Sequence, residues 1–104
     1  MLSTTVTERF AESADRVFAA LDRCAAGAHS VLERDPEARI LVFRTQASLF
    51  SWGHVVTARV QPVGRSAEVS LTVTGAPAAP TALLDGKKNR AMGRKVLAAL
   101  RAEV

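Results

Sequence analysis

A chain of 104 residues with 48% apolar and 23% charged residues has the make-up of one globular domain large enough to bury its own core. Its single cysteine, Cys24, excludes an intramolecular disulfide and any cysteine-based zinc cluster. The net charge of +4 sits in one segment: residues 85–104 hold six cations and two acids, while residues 1–84 hold eight of each. That excludes a general basic coating of the kind found on highly basic nucleic-acid proteins, and leaves a local anionic contact open.

Nothing approaches the ~18–20 consecutive apolar residues that span a bilayer. The N-terminus, Met1-Leu2-Ser3-Thr4-Thr5, lacks the apolar stretch of a secretion signal. The expectation is a soluble cytoplasmic protein that does not enter membranes. Aromatic residues are few (Phe10, Phe18, Phe43, Phe50 and Trp52), so the core must rest on Val, Leu, Ile and Ala.

Ser3 to Phe10 alternates. Thr4, Val6 and Phe10 face one side and Thr5, Thr7 and Arg9 the other, with Glu8 interrupting the inward set. Its threonine content favours a strand. Ser13 is a good N-cap and Asp15 suits a first helical turn. From Ala14 to about Ala28 the apolar period is helical, through Val17, Phe18, Leu21, Cys24, Ala25 and Ala28. Gly27 suits the fraying end of that helix. Cys24 fits as a small core residue, because no His or Cys neighbour supports thiol chemistry.

Ser30 to Arg34 reads as a short strand with Val31 and Glu33 on one side. Asp35-Pro36-Glu37 reads as a tight turn, and Ala38 to Thr45 as the strongest strand, which makes a hairpin. Gln46 to Gly53 is a connection holding Leu49, Phe50 and Trp52. Three large apolar side chains there need burial: they plug one end of the core, or line a pocket or an interface. His54 to Pro62 alternates as a strand, Pro62 to Ser66 reads as a turn, and Ala67 to Thr74 alternates again, with Val69, Leu71 and Val73 on one face. Gly75 to Pro80 is the one Pro/Ala-rich connection, fit to carry the chain to the last helix or to act as a hinge.

That helix is the longest helical pattern. Asp85 is placed as its N-cap. From Lys87 to Glu103, Met92, Val96, Ala99 and Leu100 form an apolar stripe. Lys87, Arg90, Arg94 and Arg101 fall within an arc of roughly 60° on the other side. Lys87 and Lys88 lie at the positive end of the helix dipole, where cations are disfavoured. The cationic stripe is either a solvated face or a surface for an anion, a phosphate or an acidic partner. Asn89 points to the core side.

Strand, helix, four strands, helix is an α+β order: an antiparallel sheet with the long C-terminal helix packed across it, in the manner of TBP-like or helix-grip folds. The chain resembles a shortened member of the helix-grip or START-like (polyketide cyclase, Bet v 1-like, SRPBCC) superfamily. The residues carrying the likeness are Ser13-Ala14-Asp15-Arg16-Val17-Phe18, Ser51-Trp52-Gly53-His54-Val55-Val56 and Asp85-Gly86-Lys87-Lys88-Asn89-Arg90. The last two are also similar to small uncharacterised bacterial proteins with a Ser-Trp-Gly … Asp-x-Gly-Lys-Asn pattern, from which an extra Lys before Asn89 departs. The resemblance implies a curved sheet gripping the C-terminal helix around a cavity for an apolar ligand. This chain is shorter than full members by about two strands, which leaves room for a homodimer to complete the structure.

Catalytic chemistry has little footing. His29 and His54 lack a partner at metal-ligand spacing, no carboxylate pair is placed for acid–base work, and Gly86-Lys87 lacks the P-loop frame. No metal and no cofactor is expected. The first reading is a non-enzymatic binder of a small apolar or amphipathic ligand, through Phe43, Arg44, Trp52, His54 and Asn89. The second is a protein-interaction or self-association domain. The third is an anion or nucleic-acid contact through Lys87, Arg90, Arg94 and Arg101, ranked last because the aromatic interleaving of single-strand binders is missing.

Overall fold

A computed structural model describes residues 3–45, 53–75 and 85–104, the side chain of Asp85 excepted. The elements are β1 (Ser3–Phe10), α1 (Ala14–Ala28), β2 (Ser30–Asp35), β3 (Ile40–Arg44), β4 (His54–Val63), β5 (Ser66–Gly75) and α2 (Asp85–Glu103). The strands form one antiparallel sheet in the order β1-β5-β4-β3-β2. This is the α+β architecture that the alternating and helical periods predict.

Each element forms for a local reason. The Ser13 hydroxyl accepts from the Arg16 N–H at 3.3 Å, which starts α1, and Asp15 sits in the first turn. Gly27 lies inside the last turn rather than ending the helix; His29, in extended backbone, ends it and donates its N–H to the Ala25 carbonyl. Asp35 Oδ1 accepts from the Ala38 N–H at 3.2 Å. The hairpin turn is longer than predicted, and β3 begins at Ile40 because Arg39 takes a left-handed backbone, φ 54°. Conversely, the turn expected over Pro62 to Ser66 shrinks to Gly64-Arg65. Pro62 pairs with Ala67 and Val63 with Ser66, and Gly64, at φ 60°, allows the two-residue reversal.

The inner face of the sheet is built from rows of neighbours across strands. Val6, Leu71, Ala58 and Leu41 form one row; Thr4, Val73, Val56, Phe43 and Val31 form the next. Leu41, Phe43, Val56, Ala58, Leu71 and Val73 are all fully buried. The outer face carries Thr5, Thr72, Thr57 and Val42, with Thr5 and Thr72 hydroxyls 3.2 Å apart. A bulge between Val31 and Glu33 breaks the register of β2, so the simple alternation expected there fails.

Helix α2 lies over β1 and β5 and against α1. Val96, Leu97 and Leu100 are buried, each side chain contributing about 1.5–3 kcal/mol by leaving water. Ala99, expected in the apolar stripe, is exposed, and Gly93 takes the central position instead. A Cβ on Gly93 would stand 2.6 Å from Val6 Cγ2, so the helix rests closer to β1 than any other residue permits. The described helix runs from Asp85, two residues before the predicted Lys87; the cap predicted at Asp85 rests on a side chain that lies outside the described residues. Cys24 is half-buried beside α2, its thiol donating to the Ala99 carbonyl at 3.7 Å. Burial pushes that thiol up, Glu103 adds to the effect, and Arg23 opposes it. No helix among the described residues is long and apolar enough to cross a membrane.

Candidate functional site

The apolar inner face ends in a polar row. In the register that pairs Ser30 with Arg44 and Arg44 with Val55, the next row runs His29, Thr45, His54 and Gly75. Thr45 and His54 clasp each other: the Thr45 N–H donates to the His54 carbonyl, and the His54 N–H donates to Thr45 Oγ1, both at 2.8 Å. A strand end normally leaves such groups to water. Here the side-chain hydroxyl takes the place of a further strand residue.

Asn89 reaches the same end from above. Arg101 of α2 stands by Glu8 and Phe10, and Gly93 by Val6 and Val73, so the helix runs toward this row as it is followed back to its start. Asn89 is one turn beyond Gly93 and buried. Thr45, His54 and Asn89 are the buried polar residues of the described chain, at 2%, 6% and 1% exposure, and all three gather at one end. Beside them the His29 ring stacks on Phe43, centroids 5.2 Å apart and planes 16° from parallel. His29 Nδ1 is buried and makes no hydrogen bond among the described residues. Burial, and then the positive charge of Lys95, hold the His29 imidazole below its ordinary pKa.

Segments 46–52 and 76–84 both join the described chain at this end, through Thr45, Gly53, Gly75 and Asp85. Gly53 holds φ 85°, a backbone that only glycine adopts without strain, which accounts for a glycine before His54. Trp52, with Leu49 and Phe50, lies outside the described residues.

The structure therefore brings Phe43, His54 and Asn89 to one end of the inner face. It places Arg44 elsewhere: this residue is exposed on the outer face, paired with Ser30 and Val55, because strand alternation turns it away from Phe43. Thr45 and His29 join the set without having been singled out. The only sequence signal for them was their place at the ends of predicted elements.

The cationic stripe is divided by the fold. Arg101 is committed to the protein itself: it holds Glu8 at 2.7 Å, donates to the Arg9 carbonyl at 3.0 Å, and lies 4.3 Å over the Phe10 ring. This explains the inward-facing Glu8 of β1. Lys87, Arg90 and Arg94 are exposed and make no ion pair among the described residues. No group of three or more His, Cys, Asp or Glu among the described residues is arranged to hold a metal.

No protein-family model matches the sequence, and no curated protein matches it. Solved structures do match. An uncharacterised protein from Bacillus thuringiensis aligns over 95% of this chain and 96% of its own, with a TM-score of 0.73 and 11% identity. The two-domain aromatase/cyclase BexL from the BE-7585A biosynthetic pathway aligns over 99% of this chain with a TM-score of 0.66 and 19% identity; the alignment spans 46% of that longer protein. Ara h 8.0201 aligns over 97% of each chain with a TM-score of 0.62 and 9% identity. A sheet crossed by a long C-terminal helix, with likeness of this extent to a Bet v 1-like protein and an aromatase/cyclase, gives the chain a helix-grip, START-like fold.

Proposed function

We propose that this domain binds a small apolar or amphipathic molecule at the end of the inner face where Phe43, Thr45, His54 and Asn89 gather. The observation that carries the reading is the placement of buried polar groups. A core made of Val, Leu, Ala and Phe seldom encloses a Thr, a His and an Asn together, because burying polar groups is costly. Set at one end beside an aromatic ring, they offer orientation to a ligand whose body lies on Val56, Val73 and Phe43. Binding sites of this kind are mostly apolar with a few placed polar groups. Trp52 belongs to the proposal by its adjacency to Gly53. The aromatase/cyclase activity of the structural neighbours is a property of those proteins, and the residues above support a binding role for this one.

Native mass spectrometry of protein purified gently from its own host tests the reading. The expected result is a small additional mass that is lost on denaturation. A parallel titration with the amphipathic fluorophore 1-anilinonaphthalene-8-sulfonate should show saturable one-to-one binding in the wild type. Val56→Trp, which puts a bulky ring on the apolar row where the body of the ligand is proposed to lie, should weaken that binding at least tenfold in protein whose melting curve shows it to be folded. A bare protein that also binds the fluorophore no more tightly than Val56→Trp does would sink the proposal.

A further inference from the structure

The exposed side of α2 has a composition that ligand binding inside the fold does not call for. Lys87, Lys88, Arg90, Arg94 and Lys95 are all exposed, and they occupy about 12 Å of helix at ~1.5 Å per residue. Between Gly86 and Ala102 the helix has no carboxylate. Elsewhere five of the nine cations are matched, Arg9 with Glu68, Arg23 with Glu103, Arg34 with Asp22, Arg39 with Asp15 and Arg101 with Glu8, and the other four, Arg16, Arg44, Arg59 and Arg65, are scattered over α1, β3, β4 and the β4–β5 turn rather than clustered. The five cations of the ridge make no ion pair among the described residues. They crowd the end of the helix where the backbone dipole is itself positive.

The chemistry of the neighbours selects the partner. The side chains between these cations are Ala91 and Ala98, and the large apolar residues exposed in the described chain, Leu32 and Val63, lie on β2 and at the end of β4. The apolar stripe of α2 is spent on the core, so among the described residues the helix offers no large apolar side chain to a lipid layer. Protein interfaces draw on aromatic and other apolar anchors at their centres and are depleted in Lys. A ridge that supplies only charge complements a partner that demands only charge, which is the phosphate backbone of a nucleic acid.

We propose that Lys87, Lys88, Arg90, Arg94 and Lys95 form a sequence-independent contact surface for the phosphate backbone of duplex nucleic acid. The base-stacking mode excluded by the lack of aromatics plays no part in it. The contact is independent of the ligand reading, since it uses the exposed side of α2.

Fluorescence anisotropy with a labelled 20-base-pair duplex of mixed sequence, at ~20 mM salt, is the direct test. The wild type should bind, and a shuffled duplex should bind equally within about twofold. Three to five phosphate contacts should give a slope of log K against log salt of about −3 to −4.5. Lys87→Gln/Arg90→Gln/Arg94→Gln should lose at least tenfold in affinity and flatten the slope, with an unchanged melting temperature to show that it folds. Arg16→Gln/Arg59→Gln/Arg65→Gln removes the same charge from other surfaces and should lose much less. Absence of binding at ~20 mM salt, or equal losses in the two triple variants, overturns the proposal. Binding to a poly-glutamate peptide or to phosphatidylserine vesicles without binding to the duplex does so too.

Discussion

Gly93 of α2 sits directly over Val6 of β1, with room for no Cβ between them: an added carbon would stand 2.6 Å from Val6 Cγ2. The contact sets the height of the long helix above the sheet. It also fixes how far the start of the helix, and Asn89 with it, leans over the row of His54 and Thr45.

Gly93→Ala should therefore destabilise the protein, although alanine is the better helix former by about 1 kcal/mol. Overpacking of this kind costs about 1–3 kcal/mol, so a net loss of roughly 1–2 kcal/mol is expected from chemical denaturation. Val6→Ala alone should also destabilise. Combined, the two should cost less than their sum, because each relieves the other. An additive double-mutant cycle would show that the helix does not rest on Val6.

Glu8 and Arg101 offer a second cycle. The pair is partly exposed, at 36% and 55%, so its coupling is expected to be only about 0.5–1 kcal/mol, with a further contribution from the guanidinium over the Phe10 ring. Arg101→Gln should cost about 1 kcal/mol, Glu8→Gln less, and the coupling should shrink in 1 M salt while the Phe10 contribution persists. A salt-independent coupling would assign the effect to packing.

The buried clasp between Thr45 and His54 predicts a polar penalty. Thr45→Val keeps the shape of the side chain and removes the acceptor at 2.8 Å from the His54 N–H. A loss of about 1–3 kcal/mol is expected. Thr45→Ser restores the acceptor and should recover most of it. Equal losses in the two variants would mean that the methyl group matters and the hydrogen bond does not.

Stability should fall in mild acid through His29. Its folded pKa lies below the ordinary value of 6.5, from burial first and Lys95 second. The unfolded chain therefore binds the proton more readily, and the contribution is fully present above the unfolded value and lost as pH falls through the folded one. Melting temperatures taken from pH 8 down to pH 5 should drop, and His29→Gln should flatten part of that drop. Lys95→Gln should bring the folded value closer to the unfolded one and so make the drop smaller. A His29→Gln profile parallel to the wild type would place the titration elsewhere.

What the sequence by itself determined was the element order and, nearly everywhere, which side of each element is buried. The alternation of β5 and the helical period of α1 report a single local choice between core and water, and such choices are written residue by residue. The same pattern drew Phe43, His54 and Asn89 to the inner side. Ends were harder, because Arg39 and the Gly64-Arg65 reversal depend on backbone conformations that composition only hints at. Tertiary structure alone decided the rest. Strand register put Arg44 outside and set Thr45 between His29 and His54, since neighbours across a sheet lie far apart in sequence. The pose of α2 made Gly93 its contact point and gave Arg101 to Glu8, which cut one charged stripe into a structural clamp and an exposed ridge. Periodicity assigns a residue to a face; only packing decides what that face meets.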